Sequence, residues 1–227
     1  MLKTTEKKYY YFDIIMALFV AVLLISNVAS TKIVQVWHFS FDGGTLLFPL
    51  SYLFGDILTE VYGYKMTKKV IWLGFLSAVL MAVVLAVVTA LPSADGWPYQ
   101  TAFQNILGQT PRIVIASLIA YFAGEFSNSF ILAKLKIKTN GKHLWLRTIS
   151  STLVGEGIDT VLFISIAFFG VLSPQLLIAV FISNYIFKTG VEIILTPLTY
   201  KVVKFLKRKE HEDFYDRTTN FNPFSLS

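Results

Sequence analysis

The chain has 227 residues, 55% hydrophobic and 15% charged, with a net charge of +6 and a mean hydropathy of +0.61. Soluble domains carry about 25% charged residues, so this composition excludes an ordinary soluble domain and indicates a membrane protein. There is no cysteine, which excludes disulfides and leaves the redox compartment undetermined.

The first apolar segment, about 13–36, follows the charged start KTTEKK. That start mimics a signal peptide, but the run is too long and no A-x-A-like cleavage site follows, which predicts a retained anchor helix. Further helices are expected at about 46–64, 70–91, 112–133, 148–170 and 175–200. The third, VIWLGFLSAVLMAVVLAVVTAL, contains no charge, whereas Pro49, Gly55, Asp56 and Glu60 dilute the second. Small-xxx-small pairs at Ala17/Ala21, Ala78/Ala82 and Ala116/Ala120 mark places where helices approach closely.

The connections set the orientation. Lys3, Lys7 and Lys8 precede the first helix, and Lys65, Lys68 and Lys69 follow the second. Lys134, Lys136, Lys138, Lys142 and Arg147 follow the fourth, and Lys201, Lys204, Lys207, Arg208 and Lys209 the sixth. The alternate connections carry no Lys or Arg, apart from Arg112 at the edge of one. The positive-inside rule then predicts an all-α integral membrane protein of six transmembrane helices with both termini cytoplasmic. This sorting makes the positive charge topological and argues against a nucleic-acid partner. Residues 1–209 read as the transmembrane domain and 210–227 as a polar cytoplasmic tail with little apolar content beyond three Phe.

Inside the spans lie Asp56, Glu60, Glu125, Glu156, Asp159 and Glu192, with Lys32 and Lys188. Each mid-membrane acid costs about 2.5–3.5 kcal/mol on insertion scales. Asp56 and Glu60 share a helix face, as do Glu125 with Asn128 and Glu156 with Asp159. Asn184, Lys188 and Glu192 form an i, i+4, i+8 stripe, and Asn27 pairs with Thr31. Five helices bring polar faces to similar depth, which predicts a cavity lined by all but the third. Two lysines cannot neutralise six carboxylates. Lys32 reads as an interfacial residue that snorkels. Glu60 and Glu192 read either as interfacial pairs with Lys65 or Lys201 or as ion-coupling or gating groups. Trp37, Trp72, Trp97 and Trp145 read as an interfacial belt. Tyr52, Phe54, Tyr62, Phe126 and Phe163 lie near the acids, a weak signal for stacking.

An intramembrane enzyme is not indicated. His38, His143 and His211 fall in loops or the tail, no H-E-x-x-H site exists, and GEGID is not the G-x-G-D of aspartyl proteases. No channel filter is recognisable. The candidate substrate-binding set is Asn27, Asp56, Glu125, Asn128, Glu156, Asp159, Asn184 and Lys188, with no catalytic group, metal or cofactor expected.

FGDILTEVYGYK, AGEFSNSFILAKLK, RTISSTLVGEGIDTVLF and the terminal TNFNPF resemble the bacterial queuosine precursor transporters of the vitamin-uptake-transporter group. The resemblance covers nearly the whole chain and matches at Gly55, Asp56, Glu60, Glu125, Asn128, Arg147, Gly155, Glu156 and Asp159. It implies a fold similar to the substrate-binding subunits of energy-coupling-factor importers, in the bacterial inner membrane. It also implies uptake of cyano- or aminomethyl-deazaguanine bases for tRNA queuosine salvage. Proton coupling, facilitation with metabolic trapping and an external ATPase all stay open as energy source. A stand-alone carrier is favoured, and the alternative is the substrate-binding subunit of a larger vitamin or nucleobase importer. A homo-oligomer or an energy-coupling partner is compatible with either.

Overall fold

The computed structural model describes residues 9–36, 39–108, 111–170 and 173–225. Lys3, Lys7, Lys8, Trp37 and His38 lie outside them. Helix α1 spans Phe12–Ala29 and stops short of the expected boundary near residue 36. The β-branched run that follows forms strand β1 (Ile33–Val36), antiparallel to β2 (Phe39–Asp42), with Ile33 opposite Asp42. A 3₁₀ turn over Gly43–Leu46 leads into α2 (Phe48–Tyr62), which carries Pro in its first turn. Gly63, at φ +83°, ends α2 and starts α3 (Tyr64–Ala90). The connection expected at 92–111 contains a short helix, α4 (Gln100–Leu107). Helices α5 (Pro111–Lys138), α6 (Leu144–Phe168) and α7 (Pro174–Glu210) complete the chain.

Among the described residues, four helices are long and apolar enough to cross a bilayer: α1, α3, α5 from residue 115 and α6. Helices α2 and α7 are not among them. At 15 residues α2 is about 22 Å long, against a hydrocarbon thickness of about 30 Å. It packs against α1, α3, α5 and α7, and nearly all its residues are buried. A helix sheathed by others needs no lipid-facing stripe, which is why it tolerates Asp56 and Glu60 and scores poorly on hydropathy. Helix α3 is the opposite case. Leu76, Leu80, Val83 and Val87 are each more than half exposed, as lipid contact requires.

Both chain ends lie at one end of the bundle. The amides of Tyr10 and Tyr11 donate to the Glu210 carboxylate at 3.0 and 2.6 Å, and the Tyr62 hydroxyl donates to it at 3.1 Å. A helix N-terminus favours such an anion. This is called the terminal end below, and the end carrying the β1–β2 hairpin the hairpin end.

Residues after Glu210 fold back along the terminal end. Phe214 N–H donates to the Val61 carbonyl (3.2 Å), and the buried Asp216 carboxylate accepts from Tyr64 N–H (3.0 Å), capping α3. Trp72 Nε1–H donates to the Pro223 carbonyl (2.9 Å), and its ring meets Phe75, Phe122 and Phe224. Trp72 is the hub of an aromatic cluster, whereas Trp97 and Trp145 stand exposed.

Helices α5 and α6 form the closest pair, and two glycines allow it. A methyl group on Gly155 would lie 2.8 Å from Asn128 Cβ and 3.0 Å from the Gly124 carbonyl oxygen. One on Gly124 would lie 2.4 Å from the Tyr52 hydroxyl. The groove admits the Tyr52 ring between the helices. Ala116 and Ala120 are buried at helix contacts, whereas Ala17 and Ala21 face outward. Gly155→Ala is expected to cost about 1–3 kcal/mol by forcing the backbones apart. A lowered thermal midpoint in detergent checks it, and an unchanged midpoint would contradict this packing.

Candidate functional site

The polar side chains of the bundle fall into three tiers along its axis. The first, toward the hairpin end, surrounds a cavity of about 60 Å³ bordered by Ser30, Thr45, Phe48, Ser117, Asp159 and Lys188, with Phe163. These come from α1, the 3₁₀ turn, α2, α5, α6 and α7, with no residue from α3. Lys188 Nζ donates to Asp159 Oδ2 at 2.8 Å, lies 3.2 Å from Glu156 Oε2, and sits 4.4 Å above the Phe48 ring. The cavity has room for a few waters and falls well short of the roughly 300–1,000 Å³ usual for small-molecule pockets.

The second tier is deeper and nearly dry. Asp56, Glu125, Asn128, Glu156 and Glu192 are all at most 1% exposed. Asn128 donates to Asp56 Oδ1 at 2.7 Å, so Asp56 is held by Asn128. Gly55 lets the Glu125 carboxylate lie against α2, since a methyl group there would be 2.8 Å from Oε2. Both oxygens of Glu125 and both of Glu192 lack a hydrogen-bond partner, as do Asp56 Oδ2 and the Tyr52 hydroxyl. Glu192 forms no ion pair with Lys201 or any other described residue. Unpaired buried carboxylates are costly and mark functional sites in membranes.

The third tier, at the terminal end, is a closed ion cluster. Arg147 grips Glu60 with two hydrogen bonds of 2.7 Å, from Nε to Oε2 and from Nη2 to Oε1. Lys207 Nζ also donates to Oε1, and Lys136 lies 3.6 Å away. Lys136 and Lys207 both pair with Asp213 from the chain's end. Burial works against the Asp213 charge, but hydrogen bonds from Lys136 and Lys207 outweigh it and hold the carboxyl below its ordinary range. Burial dominates at Asp216, whose carboxyl is pushed up despite the bonds from Tyr64 and Thr219.

Several expected positions lie elsewhere. Asn27 donates to its own helix at Leu23 and accepts from Ser117 at 3.3 Å. It faces a separate crevice of about 580 Å³ between α1, α3, α4 and α5 that contains no charged residue. Asn184 is half-buried one turn before Lys188 and does not border the cavity. Lys32 stands exposed beyond α1. Glu60 pairs with Arg147, Lys207 and Lys136, not with Lys65. Sequence reasoning treated those three cations as topological charges in solvent, and no local pattern marks Arg147 or Lys136 as 1% exposed. Tyr52 was flagged only as a neighbour of the acids.

Apolar helices that enclose carboxylates without partners suit a membrane transporter better than a structural bundle. The family model described as "Putative vitamin uptake transporter" matches residues 42–202, and the chain belongs to that family. It is similar to a "Probable queuosine precursor transporter" of Bacillus subtilis (strain 168), 28% identical over 82% of this chain and 81% of the relative. A protein of the same description from Haemophilus influenzae is 30% identical over 73% of this chain and 70% of its own. The "Queuosine precursor transporter" of Escherichia coli (strain K12) is 25% identical over 80% and 81%. No solved structure matches. The chain is thus a multi-pass transporter of the bacterial inner membrane and not an enzyme.

Proposed function

We propose that the chain imports queuosine precursors, the cyano- and aminomethyl-substituted deazaguanine bases, for tRNA queuosine salvage. The observation that carries this reading is an imbalance of charge. Asp56, Glu125, Glu156, Asp159 and Glu192 are all buried, and the one ammonium near them among the described residues, Lys188, pairs with Glu156 and Asp159 alone. A guanine-like ring presents a ring N–H beside an exocyclic amine, and one carboxylate accepts both hydrogens. Glu125, Glu156 and Asp159 recognise that edge, and Asn128 serves the carbonyl side. Asp56 and Lys188 hold the recognising groups in place.

Internal partners occupy several of these groups, Lys188 on Asp159 and Asn128 on Asp56. Binding exchanges those partners for the base. The small cavity corresponds to a closed conformation, and the 3₁₀ turn with Phe48 covers it on the hairpin side. In the membrane, α1, α2, α3, α5, α6 and α7 make six passes with both termini cytoplasmic, so the hairpin faces outward. The arrangement is similar to that of energy-coupling-factor substrate-binding subunits, with residues 1–209 as the transmembrane unit and 210–227 as the cytoplasmic segment. The carrier works alone. The outward-facing Ala17 and Ala21 favour a second reading, a binding subunit that docks a coupling protein or another copy through α1.

Competition for uptake among guanine, its deaza analogues and unrelated vitamins tests the substrate. Deazapurines are expected to compete and biotin or riboflavin not to; the reverse pattern refutes the assignment. Accumulation in a host without energy-coupling modules is expected, and its absence would favour the subunit reading.

A further inference from the structure

The second tier holds more acid than a base can use. With Glu125 on the ring edge and Lys188 between Glu156 and Asp159, Asp56 and Glu192 remain without a cation. Asp56 keeps one bond, from Asn128, and Glu192 has none. Glu192 is 1% exposed and lies one turn beyond Lys188 on α7, a helix that packs against the α2 of Asp56. The other ionisable groups around this pair are Tyr52 and Glu60 on α2, Glu125 on α5, Glu156 and Asp159 on α6, and Lys188 on α7. Glu60 is committed to its own three cations. Two carboxylates buried on packed helices without a counter-charge cannot both stay ionised away from water.

What completes the pair must need almost no room. The cavity ends at Asp159 and Lys188 and does not reach Asp56 or Glu192. Among the described residues no three acid or histidine side chains converge as a metal site would require. A sodium ion needs a shell of oxygens and a space to sit; a proton needs neither.

We propose that the proton is the second ligand of this transporter, bound at the Asp56–Glu192 pair and carried inward with the substrate. Resting on the transport reading above, the inference assigns its energy source. The proton enters from the hairpin end through the cavity waters at Asp159 and reaches the pair past Glu156. It leaves toward the terminal end when the base is released. Accumulation then follows the proton gradient and requires no ATPase.

The purified full chain in liposomes tests this, with the cyano-substituted base as probe and the membrane potential clamped by valinomycin and equal potassium. Exchange of labelled for unlabelled base without any gradient comes first; if none occurs, the transport reading itself fails. Given exchange, a gradient of one pH unit with the acid outside is expected to sustain accumulation inside approaching about tenfold. A lumenal pH dye should record close to one proton per base. Accumulation that ignores the pH gradient, or that follows an imposed sodium gradient instead, overturns proton coupling and leaves the transport reading intact. Glu192→Gln is expected to move base, at whatever rate, with a proton-to-base ratio near zero. Asp56→Asn should lower the same ratio. An unchanged ratio in both variants removes the pair from the coupling.

Discussion

Glu60→Gln is expected to lower the stability of the detergent-solubilised protein by about 3–5 kcal/mol, the cost of breaking a buried ion pair from one side. Glutamine keeps the shape of the side chain and removes its charge. Arg147 and Lys136, each 1% exposed, would then face Lys207 with only the half-exposed Asp213 to offset three positive charges. The cluster joins α2, α5, α6, α7 and the segment after Glu210, so its loss loosens the terminal end as a unit. The thermal midpoint should fall well below that of the wild type. Combining Glu60→Gln with Lys207→Gln should recover part of the loss, because it removes one of the orphaned cations. A single variant that melts with the wild type would show that solvent, rather than Glu60, neutralises Arg147.

Lys188→Met should abolish uptake of the neutral cyano-substituted base, a loss of about 100-fold or more. Lys188 is the only cation among the described residues of the first two tiers, and it holds both Asp159 and Glu156. Without it, two nearby carboxylates lose their shared counter-charge at a cost of about 3–5 kcal/mol. The aminomethyl base carries its own ammonium and can occupy the same place, so it should retain more uptake. Competition between the two bases should therefore shift toward the aminomethyl form. Lys188→Met/Asp159→Asn should restore membrane levels if the single variant inserts poorly. A single variant with unchanged uptake of the cyano base would exclude Lys188 from the site.

Local pattern was enough to mark most of the chemistry. An acid within an apolar run is conspicuous against its insertion cost, and i, i+3 and i, i+4 spacing put Glu125 with Asn128 and Glu156 with Asp159 on shared faces. The charge-free third helix was legible as a lipid-facing element for the same reason. Helix ends were less legible near residue 30, where β-branched residues continue the apolar run but fold as a hairpin.

The pairing at the terminal end was not legible. Spacing along one helix states which side chains share a face, not which helix that face meets. The assignment of Glu60 to Arg147 rather than Lys65 comes only from the packing of α2 among its neighbours. The folding back of residues 211–225 was equally hidden, because Asp216 and Pro223 meet a backbone amide and an indole far away in the chain. Composition and periodicity determined that this is a membrane bundle with acids inside. Tertiary structure alone decided which of those acids have partners, since a buried charge is settled by neighbours that the chain brings together only when folded.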